Sequence, residues 1–180
     1  MKRSFILPTI LLAIILTGCT DKIKPSVLNS IDSGLLPQQE SWNSIITVSD
    51  SGRVTAIIHA GYIRVYETSQ ITYMSKGVRV QFFNPEGQQT SILTSEDGSV
   101  DEATNNLEAH THVVVVSSDS SRMKTEHLMW DNQKQLIYTP KDEFVEITTE
   151  TDHLYGHGFE SDQSLKHYKI FRVTGRSTTQ

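Results

Sequence analysis

Residues 93–116 read LTSEDGSVDEATNNLEAHTHVVVV and predict a strand, a polar turn and a second strand. The apolar side chains of the second strand fall on one face at a period of two: Leu107, Ala109, Val113 and Val115. This alternation is typical of a half-buried β-strand, and no apolar stripe with the helical period competes with it. Asn105 and Asn106 favour the turn because short amide side chains tolerate left-handed backbone angles. The stretch is therefore predicted to be a β-hairpin with one apolar face.

The hairpin pattern recurs along the chain at a nearly regular interval. Apolar pairs equivalent to Val113 and Val115 occur upstream and downstream of them, at Val78, Val80, Val145 and Ile147. In the same way, Glu96 and Asp101 correspond to Glu126 and Asp131. Both aspartates are predicted to start turns, because Asp side chains bond to the backbone of such turns. About four hairpins of roughly 30 residues have the period of a stacked architecture, in which neighbours bury the apolar face together.

The N-terminal residues resemble a bacterial lipoprotein signal. Lys2 and Arg3 precede an apolar run at 5–16, which is short for a membrane span of about 20 residues. The sequence Leu-Thr-Gly-Cys follows at 16–19, with small residues before the cysteine as cleavage requires. Residues 1–18 are therefore predicted to be removed and Cys19, the only cysteine, to carry the lipid anchor. An ordinary signal peptide or a short membrane anchor is the alternative.

The rest of the chain divides into a tether, one domain and a short tail. Residues 19–41 have no sustained period and contain prolines, a glycine and many polar residues, which predicts a flexible tether. Residues 42–175 have the length of one domain, and 176–180 form the tail. Removal of Lys2 and Arg3 with the signal changes the formal charge from −5 to −7. Nucleic-acid binding is disfavoured, because such proteins carry a basic surface.

The domain is predicted to be all-β, a meandering antiparallel sheet folded over itself. Strands are expected at 45–48, 54–58, 62–66, 71–74, 78–83, 91–95, 99–101, 107–117, 122–130, 135–139, 144–148, 153–160 and 165–173. Clusters of Gly, Pro, Asn, Asp and Ser separate most of these segments and predict turns.

The order of these hairpins resembles the LptC family. The similar segments are Lys76-Gly77-Val78, the hairpin at 93–115, Thr125-Glu126-x-Leu128-x-Trp130-Asp131, and Leu154-x-Gly156-x-Gly158-Phe159 with the residues to Gly175. The resemblance implies an open, twisted antiparallel β-jelly roll built from stacked hairpin repeats. It also implies transfer of lipopolysaccharide in the periplasm, from the inner-membrane ABC transporter subunits LptF and LptG to the periplasmic bridge protein LptA. Better-known LptC proteins use a transmembrane helix, whereas Cys19 is expected to anchor this chain at the inner membrane.

An open jelly roll would offer acyl chains the branched apolar residues of its inner face. The candidates for this groove are Met74, Val78, Val80, Phe82, Leu107, Val113, Val115, Leu128, Trp130, Val145 and Ile147. Ordinary core packing is the alternative for each of them. An acidic domain without a basic cradle favours the fatty chains over the lipid phosphates as the bound part.

Each end of such a sheet leaves an unpaired strand to which a partner can add its own strand. The N-terminal edge is predicted at Ile45 and Val48 or at Val54 and Ile58, and the C-terminal edge at Tyr168, Ile170, Phe171 and Val173. The resemblance assigns the first edge to the transporter and the second to LptA. A lipid-anchored scaffold that only pairs these edges, without a lipid groove, is the second hypothesis.

Catalysis, cofactors and metal binding are not predicted. The serines lie in turns, and the chain has no Gly-x-Ser-x-Gly elbow. His110 with His112, or His153 with His157, could in principle hold zinc or copper. Solvated histidines on the outer face are favoured, because no cysteine or close carboxylate is expected to complete a ligand set.

Overall fold

The computed structural model describes residues 36–66 and 68–178, which form an all-β domain. It contains eleven strands: β1 (Gln39–Asp50), β2 (Arg53–Tyr66), β3 (Ile71–Phe83), β4 (Gln89–Ser95), β5 (Asp97–Asp101), β6 (Asn106–Ser117), β7 (Arg122–Asp131), β8 (Leu136–Tyr138), β9 (Phe144–Thr148), β10 (Asp152–Ser161) and β11 (Tyr168–Thr178). None of the described residues belongs to a helix able to cross a membrane. The predicted signal and Cys19 lie outside the described residues.

The strands pair antiparallel in one sheet, as the sequence predicts for a jelly roll. The main path runs β1-β2-β3-β4-β6-β7-β8-β10-β11, with β5 between β3 and β6 and β9 between β7 and β10. The terminal strands are therefore β1 and β11. This order decides between the two predicted N-terminal edges: Ile45 and Val48 lie on the edge strand, whereas Val54 and Ile58 lie on β2, which pairs with both β1 and β3.

The long strands exchange partners halfway along their length. Strand β3 pairs with β5 over residues 71–74 and with β4 over 78–83. Strand β6 likewise pairs with β5 over 106–110 and with β4 over 114–117. The sheet thus has two halves, which we call the β4 half (residues 44–60, 78–95, 113–125 and 144–157) and the β5 half (residues 62–75, 97–110, 127–138 and 159–170).

A line of irregular backbone separates the halves. Lys76 and Thr111 have φ values of 61° and 65°, a left-handed conformation that is uncommon outside glycine. The register shifts between Ala60 and Tyr62 and between His110 and Val113, so both strand pairs carry bulges there. Gly61 is required at this line because a Cβ atom would lie 2.4 Å from the carbonyl oxygen of Lys76. Bulges bend strands, and the two halves consequently face each other across a shared core.

The core consists of side-chain rows that cross the strands. One row in the β4 half runs through directly paired residues on eight strands: Ile46, Ile58, Val80, Leu93, Val115, Met123, Ile147 and Leu154. The second members of the repeated apolar pairs, Val80, Val115 and Ile147, therefore lie in one buried row. The internal repeat reflects this row, because each hairpin contributes the same inward position.

The repeated acidic residues also have equivalent positions. Asp101 accepts hydrogen bonds from the backbone of Ala103 and Thr104, and Asp131 accepts one from Lys134, so both turn predictions are confirmed. Glu96 and Glu126 both bind the bulge at His112. The first contacts Nδ1 of that ring at 2.7 Å, and the second accepts its backbone N–H at 3.0 Å.

Several predicted strand boundaries are wrong. Residues 54–58 and 62–66 belong to one strand, as do 71–74 and 78–83, because the bulges bend these strands without ending them. Leu165 lies before β11 in a loop held by the Asp162 carboxylate, which accepts bonds from the backbone of Ser164 and Lys166. Strand β1 begins at Gln39, within the predicted tether, and β11 continues into the predicted tail.

Candidate functional site

A cavity of about 500 Å³ opens at the interior between the two halves, and we call it the mouth cavity. Its apolar lining comes from both halves: Val48, Ala56, Ile58, Val80, Phe82, Val100, Leu107 and Trp130. The rings of Phe82 and Trp130 lie 6.1 Å apart, centroid to centroid, and join the halves at this point. The cavity is therefore continuous with the hydrophobic core.

The rim of the mouth cavity is polar but mostly uncharged. Amide side chains dominate it: Asn105, Asn132, Gln133, Gln135 and Gln163. Asp50 is the acidic residue of the lining, and no lysine or arginine among the described residues contributes to it. Gln135 donates to the Asn132 backbone carbonyl at 2.7 Å, so part of the rim is ordered by its own hydrogen bonds. Such a rim can accept a neutral polar group but provides no cation for a phosphate.

The predicted groove residues are all buried. All eleven have 8% of their surface exposed or less. Four of them line the mouth cavity, namely Val80, Phe82, Leu107 and Trp130. The other seven pack in the core away from it: Met74, Val78, Val113, Val115, Leu128, Val145 and Ile147. Two of these seven also line shallower cavities, Val78 one of about 500 Å³ and Val113 one of about 300 Å³, and the other five are enclosed by core packing.

Sequence analysis predicted neither the amide rim nor the position of Ile58 in the lining of the mouth cavity. Ile58 is 2% exposed and lines the mouth cavity, although it was predicted at a partner edge. The amides of the rim lie in or near turns, where Asn and Gln are expected for backbone reasons alone. Their convergence depends on how the two halves face each other, and no local pattern encodes it.

Both terminal strands expose large apolar side chains. On β1, Trp42 and Ile45 are 59% and 63% exposed, and on β11, Phe171 and Val173 are 45% and 57% exposed. Val48, Tyr168 and Ile170 instead pack partly against the core. Each terminal strand therefore combines an unpaired backbone edge with apolar side chains in water, as far as the described residues extend. This combination is unusual for an isolated sheet, because exposed edges invite pairing with other chains.

Aromatic and cationic groups flank these edges. The ring of Trp42 lies 5.2 Å from that of Tyr62, and the Lys76 ammonium lies 5.3 Å from the Tyr62 centroid. Tyr62 donates a hydrogen bond to Glu40, which raises the pKa of the Tyr62 hydroxyl. On β11, the Lys169 ammonium lies 4.7 Å from the ring centroid of Phe171. Tyr62 thus contacts the exposed Trp42 of β1 and is itself approached by Lys76, and Lys169 lies over the exposed Phe171 of β11.

The histidine side chains have other positions and partners than the sequence predicted. The bulge at residues 111 and 112 interrupts the alternation that was expected to place His110 and His112 on one side. His112 binds Glu96, whereas the His110 ring stacks on that of His127 at 4.3 Å. The expectation that no carboxylate lies close to His110 is wrong, because Glu108 Oε2 is 3.3 Å from His110 Nε2. His153 Nε2 contacts Glu146 at 2.6 Å, a hydrogen bond that lowers the pKa of Glu146.

Comparison with known proteins gives one family. The model of a family described as LptC, "Lipopolysaccharide-assembly, LptC-related", matches residues 43–177. The match includes the mouth cavity, β1 from residue 43 onward and all of β11 except Thr178. A search of curated proteins found no match.

Proposed function

The chain belongs to the LptC family, and on this premise we propose that it transfers lipopolysaccharide without catalysing a reaction. The family is a periplasmic, inner-membrane-associated component of lipopolysaccharide transport and is not a known enzyme family. In the proposed mechanism, the chain accepts lipopolysaccharide from the ABC transporter, guides it through the apolar interior and passes it to the periplasmic bridge protein.

The mouth cavity is the observation that carries this proposal. Its volume of about 500 Å³ lies within the range of about 300–1,000 Å³ that is usual for small-molecule sites. An apolar wall with a neutral amide rim suits fatty acyl chains, which need burial from water and no counter-charge. The absence of basic residues from its described lining supports the acyl chains as the bound part of the lipid.

The closed interior requires a second conformation in this mechanism. Acyl chains longer than the mouth cavity enter only when the β4 half and the β5 half move apart. The bulges at Gly61 and Thr111 are the natural hinge, because the strand ladder is already interrupted there. Such opening would expose the row of Val80, Val115 and Ile147 to lipid. The buried groove residues are thus proposed to be core in the closed state and lipid contacts in the open state.

The terminal strands are proposed to bind the partners. Addition of a strand supplies main-chain hydrogen bonds, and exposed anchors add affinity. We assign β1, with Ile45, to the periplasmic domains of LptF and LptG, and β11, with Phe171, to LptA. The two contacts would place the mouth cavity between donor and acceptor proteins. The exposed apolar side chains on both strands support this assignment.

A lipid anchor on Cys19 would hold the domain at the inner membrane. Stable anchoring requires more than one acyl chain, as a lipoprotein cysteine carries. The apolar run at 5–16 and the Leu-Thr-Gly-Cys sequence at 16–19 support this anchor.

A scaffold without lipid contact is the second candidate function. The burial of seven predicted groove residues away from the mouth cavity favours it, since a permanent groove would leave them exposed. In this case the terminal strands alone would connect the transporter to the bridge protein.

Photo-crosslinking in cells separates the two candidates. Phe82, in the mouth cavity, is replaced by p-benzoylphenylalanine, which preserves an aromatic ring. Tyr73 is the matched control. It is an aromatic residue of the same strand, β3, but its side chain is exposed on the outer face. Transfer predicts a crosslink to lipopolysaccharide from position 82 and none from position 73.

The scaffold predicts no lipid crosslink from either position. A probe at Phe171 provides the positive control for assembly, since both candidates predict that it crosslinks to LptA. A protein crosslink at 171 without a lipid crosslink at 82 would reject transfer and retain the scaffold.

A further inference from the structure

Glu108, His110 and His127 form a cluster on neighbouring strands, which we call the His–Glu cluster. Their ligand atoms all lie within 4.8 Å of one another. The Glu108 Oε2 atom is 3.3 Å from His110 Nε2 and 3.8 Å from His127 Nε2. Two imidazoles, whose rings stack with their planes 25° apart, and one carboxylate thus lie side by side at the surface.

The strand register builds this cluster. Glu108 and His110 are two residues apart on β6, so their side chains lie on the same face. His110 pairs directly with His127 on β7, and the adjacent pair, Ala109 with Leu128, is buried in the core. The cluster therefore lies on the outer face of β6 and β7, just before the bulge. It is independent of the mouth cavity and of the proposed transfer.

One atom of the cluster is unsatisfied. His127 Nε2 is buried and has no hydrogen-bond partner among the described residues, because Glu108 at 3.8 Å is beyond hydrogen-bond distance. Buried polar atoms without a partner are rare in proteins and call for an explanation such as a bound ion. A metal ion at the centre of the cluster would bind this nitrogen.

The distances suit a tetrahedral ion. Zinc binds imidazole nitrogen and carboxylate oxygen at about 2.0–2.2 Å, which places tetrahedral ligand atoms about 3.3–3.5 Å apart. The two distances to Glu108 Oε2, 3.3 and 3.8 Å, are close to this separation, and rotation of one of the two stacked imidazole rings would direct both nitrogens at the same ion. Two histidines with a carboxylate and an open position also suit zinc better than magnesium, which prefers oxygen ligands. We propose that Glu108, His110 and His127 form a Zn²⁺ site on the outer face, with water as the fourth ligand.

The test measures zinc binding by the full-length protein, purified in detergent without a histidine tag. Equilibrium dialysis against Zn²⁺, followed by elemental analysis, should give one zinc ion per chain. His110→Gln and His127→Gln should each raise the dissociation constant at least about tenfold, the loss caused even by removing a supporting partner of a ligand. An excess of Mg²⁺ should not displace the zinc.

His167→Gln is the matched control. His167 also lies beside a carboxylate, 2.8 Å from Asp162, but it is fully at the surface and no second histidine of the described residues joins the pair. This variant should bind zinc as the wild type does, and zinc should raise the melting temperature of both.

Zinc binding that is absent from the wild type, or unchanged in His110→Gln, would overturn the proposal. His110→Gln decides the result even where His127→Gln lowers folding, because the His110 side chain is more exposed.

Discussion

Phe82 on β3 and Trp130 on β7 meet across the interior, with ring centroids 6.1 Å apart and planes inclined at 44°. They belong to different halves of the sheet, and both line the mouth cavity. Aromatic pairs at this separation contribute free energy beyond the burial of their surfaces. The pair is therefore one of the contacts that hold the two halves together.

Replacing these rings should measure that contact. Phe82→Ala and Trp130→Ala should each lower the free energy of unfolding by about 3–5 kcal/mol, because each leaves a cavity beside the existing one. The double variant should lose about 0.5–1.5 kcal/mol less than the sum of the two changes. Urea unfolding of all four proteins measures the coupling, and strict additivity would show that the halves are joined elsewhere.

Adjacent valines on β6 test the inward direction of the repeat. Val115 is fully buried opposite Met123, whereas Val114 is less buried and lies opposite Lys124. Val115→Asp should lower the free energy of unfolding by about 4 kcal/mol or abolish folding, because it buries an unpaired carboxylate. Val114→Asp should cost less than about 1 kcal/mol, since its carboxylate faces an ammonium group. Equal losses in denaturant melts would contradict the assigned faces.

The bulge should make stability depend on pH. The hydrogen bond to Glu96, with the charges of Glu126 and Glu96, raises the pKa of His112 above its ordinary value of about 6.5. The folded state therefore binds a proton more tightly than the unfolded state. The resulting stabilisation is complete below about pH 6.5 and is lost as the pH rises through the higher folded value.

Removal of the imidazole should erase this dependence. His112→Asn tolerates the left-handed backbone but lacks the titrating ring. Its melting temperature should be below that of the wild type at pH 5.5 and approach it at pH 8.5. For Glu96→Gln, the difference in melting temperature from the wild type should likewise decrease between pH 5.5 and pH 8.5. A difference that stays constant across this range would exclude the His112–Glu96 pair as the source of the pH dependence.

Reciprocal prolines test the two edges. Phe171→Pro removes a backbone donor from β11 and should abolish capture of LptA while LptF and LptG still bind. Ile45→Pro makes the same change on β1 and should have the opposite effect. Pull-downs with each partner measure both variants, after circular dichroism has established that they are folded. Normal capture of LptA by folded Phe171→Pro would refute the handover at β11.

The anchor prediction concerns the mature N-terminus. Mass spectrometry of the membrane-extracted protein should show an N-terminal Cys19 that carries lipid, because the residues at 16–19 match a lipoprotein cleavage site. Cys19→Ser should keep residues 1–18 attached, since the modified thiol is lost. A mature wild-type protein that begins at Met1 would disprove acylation.

Local sequence patterns were sufficient to predict which side chains face the core. The pairs Val78 with Val80 and Val113 with Val115 alternate at the strand period, so their burial follows from sequence alone. The bulge at Thr111 could not be predicted, because nothing in a Thr-His pair specifies positive φ angles. Separate strands were predicted at 54–58 and 62–66, although Gly61 between them lets β2 continue past the backbone of Lys76.

Features that depend on strand pairing could not be predicted from the sequence. His110 and His127 lie on different strands, and only the β6–β7 register places their rings together. The mouth cavity likewise needs Val100 and Ile58, which belong to different halves of the sheet, to line the same space. Periodicity specifies the face of a residue within its own strand, but not which residue lies opposite on another strand.

The row that runs from Ile46 to Leu154 extends along roughly 34 Å of sheet surface, at about 4.8 Å per strand. The spacing of its members is set by main-chain hydrogen bonds and is independent of side-chain identity. A strand that a partner adds beside β1 would lengthen the row by one more position. An apolar track could therefore grow in equal steps on the β1 side, whereas on the other side it ends at β11, where Arg176 lies opposite Leu154.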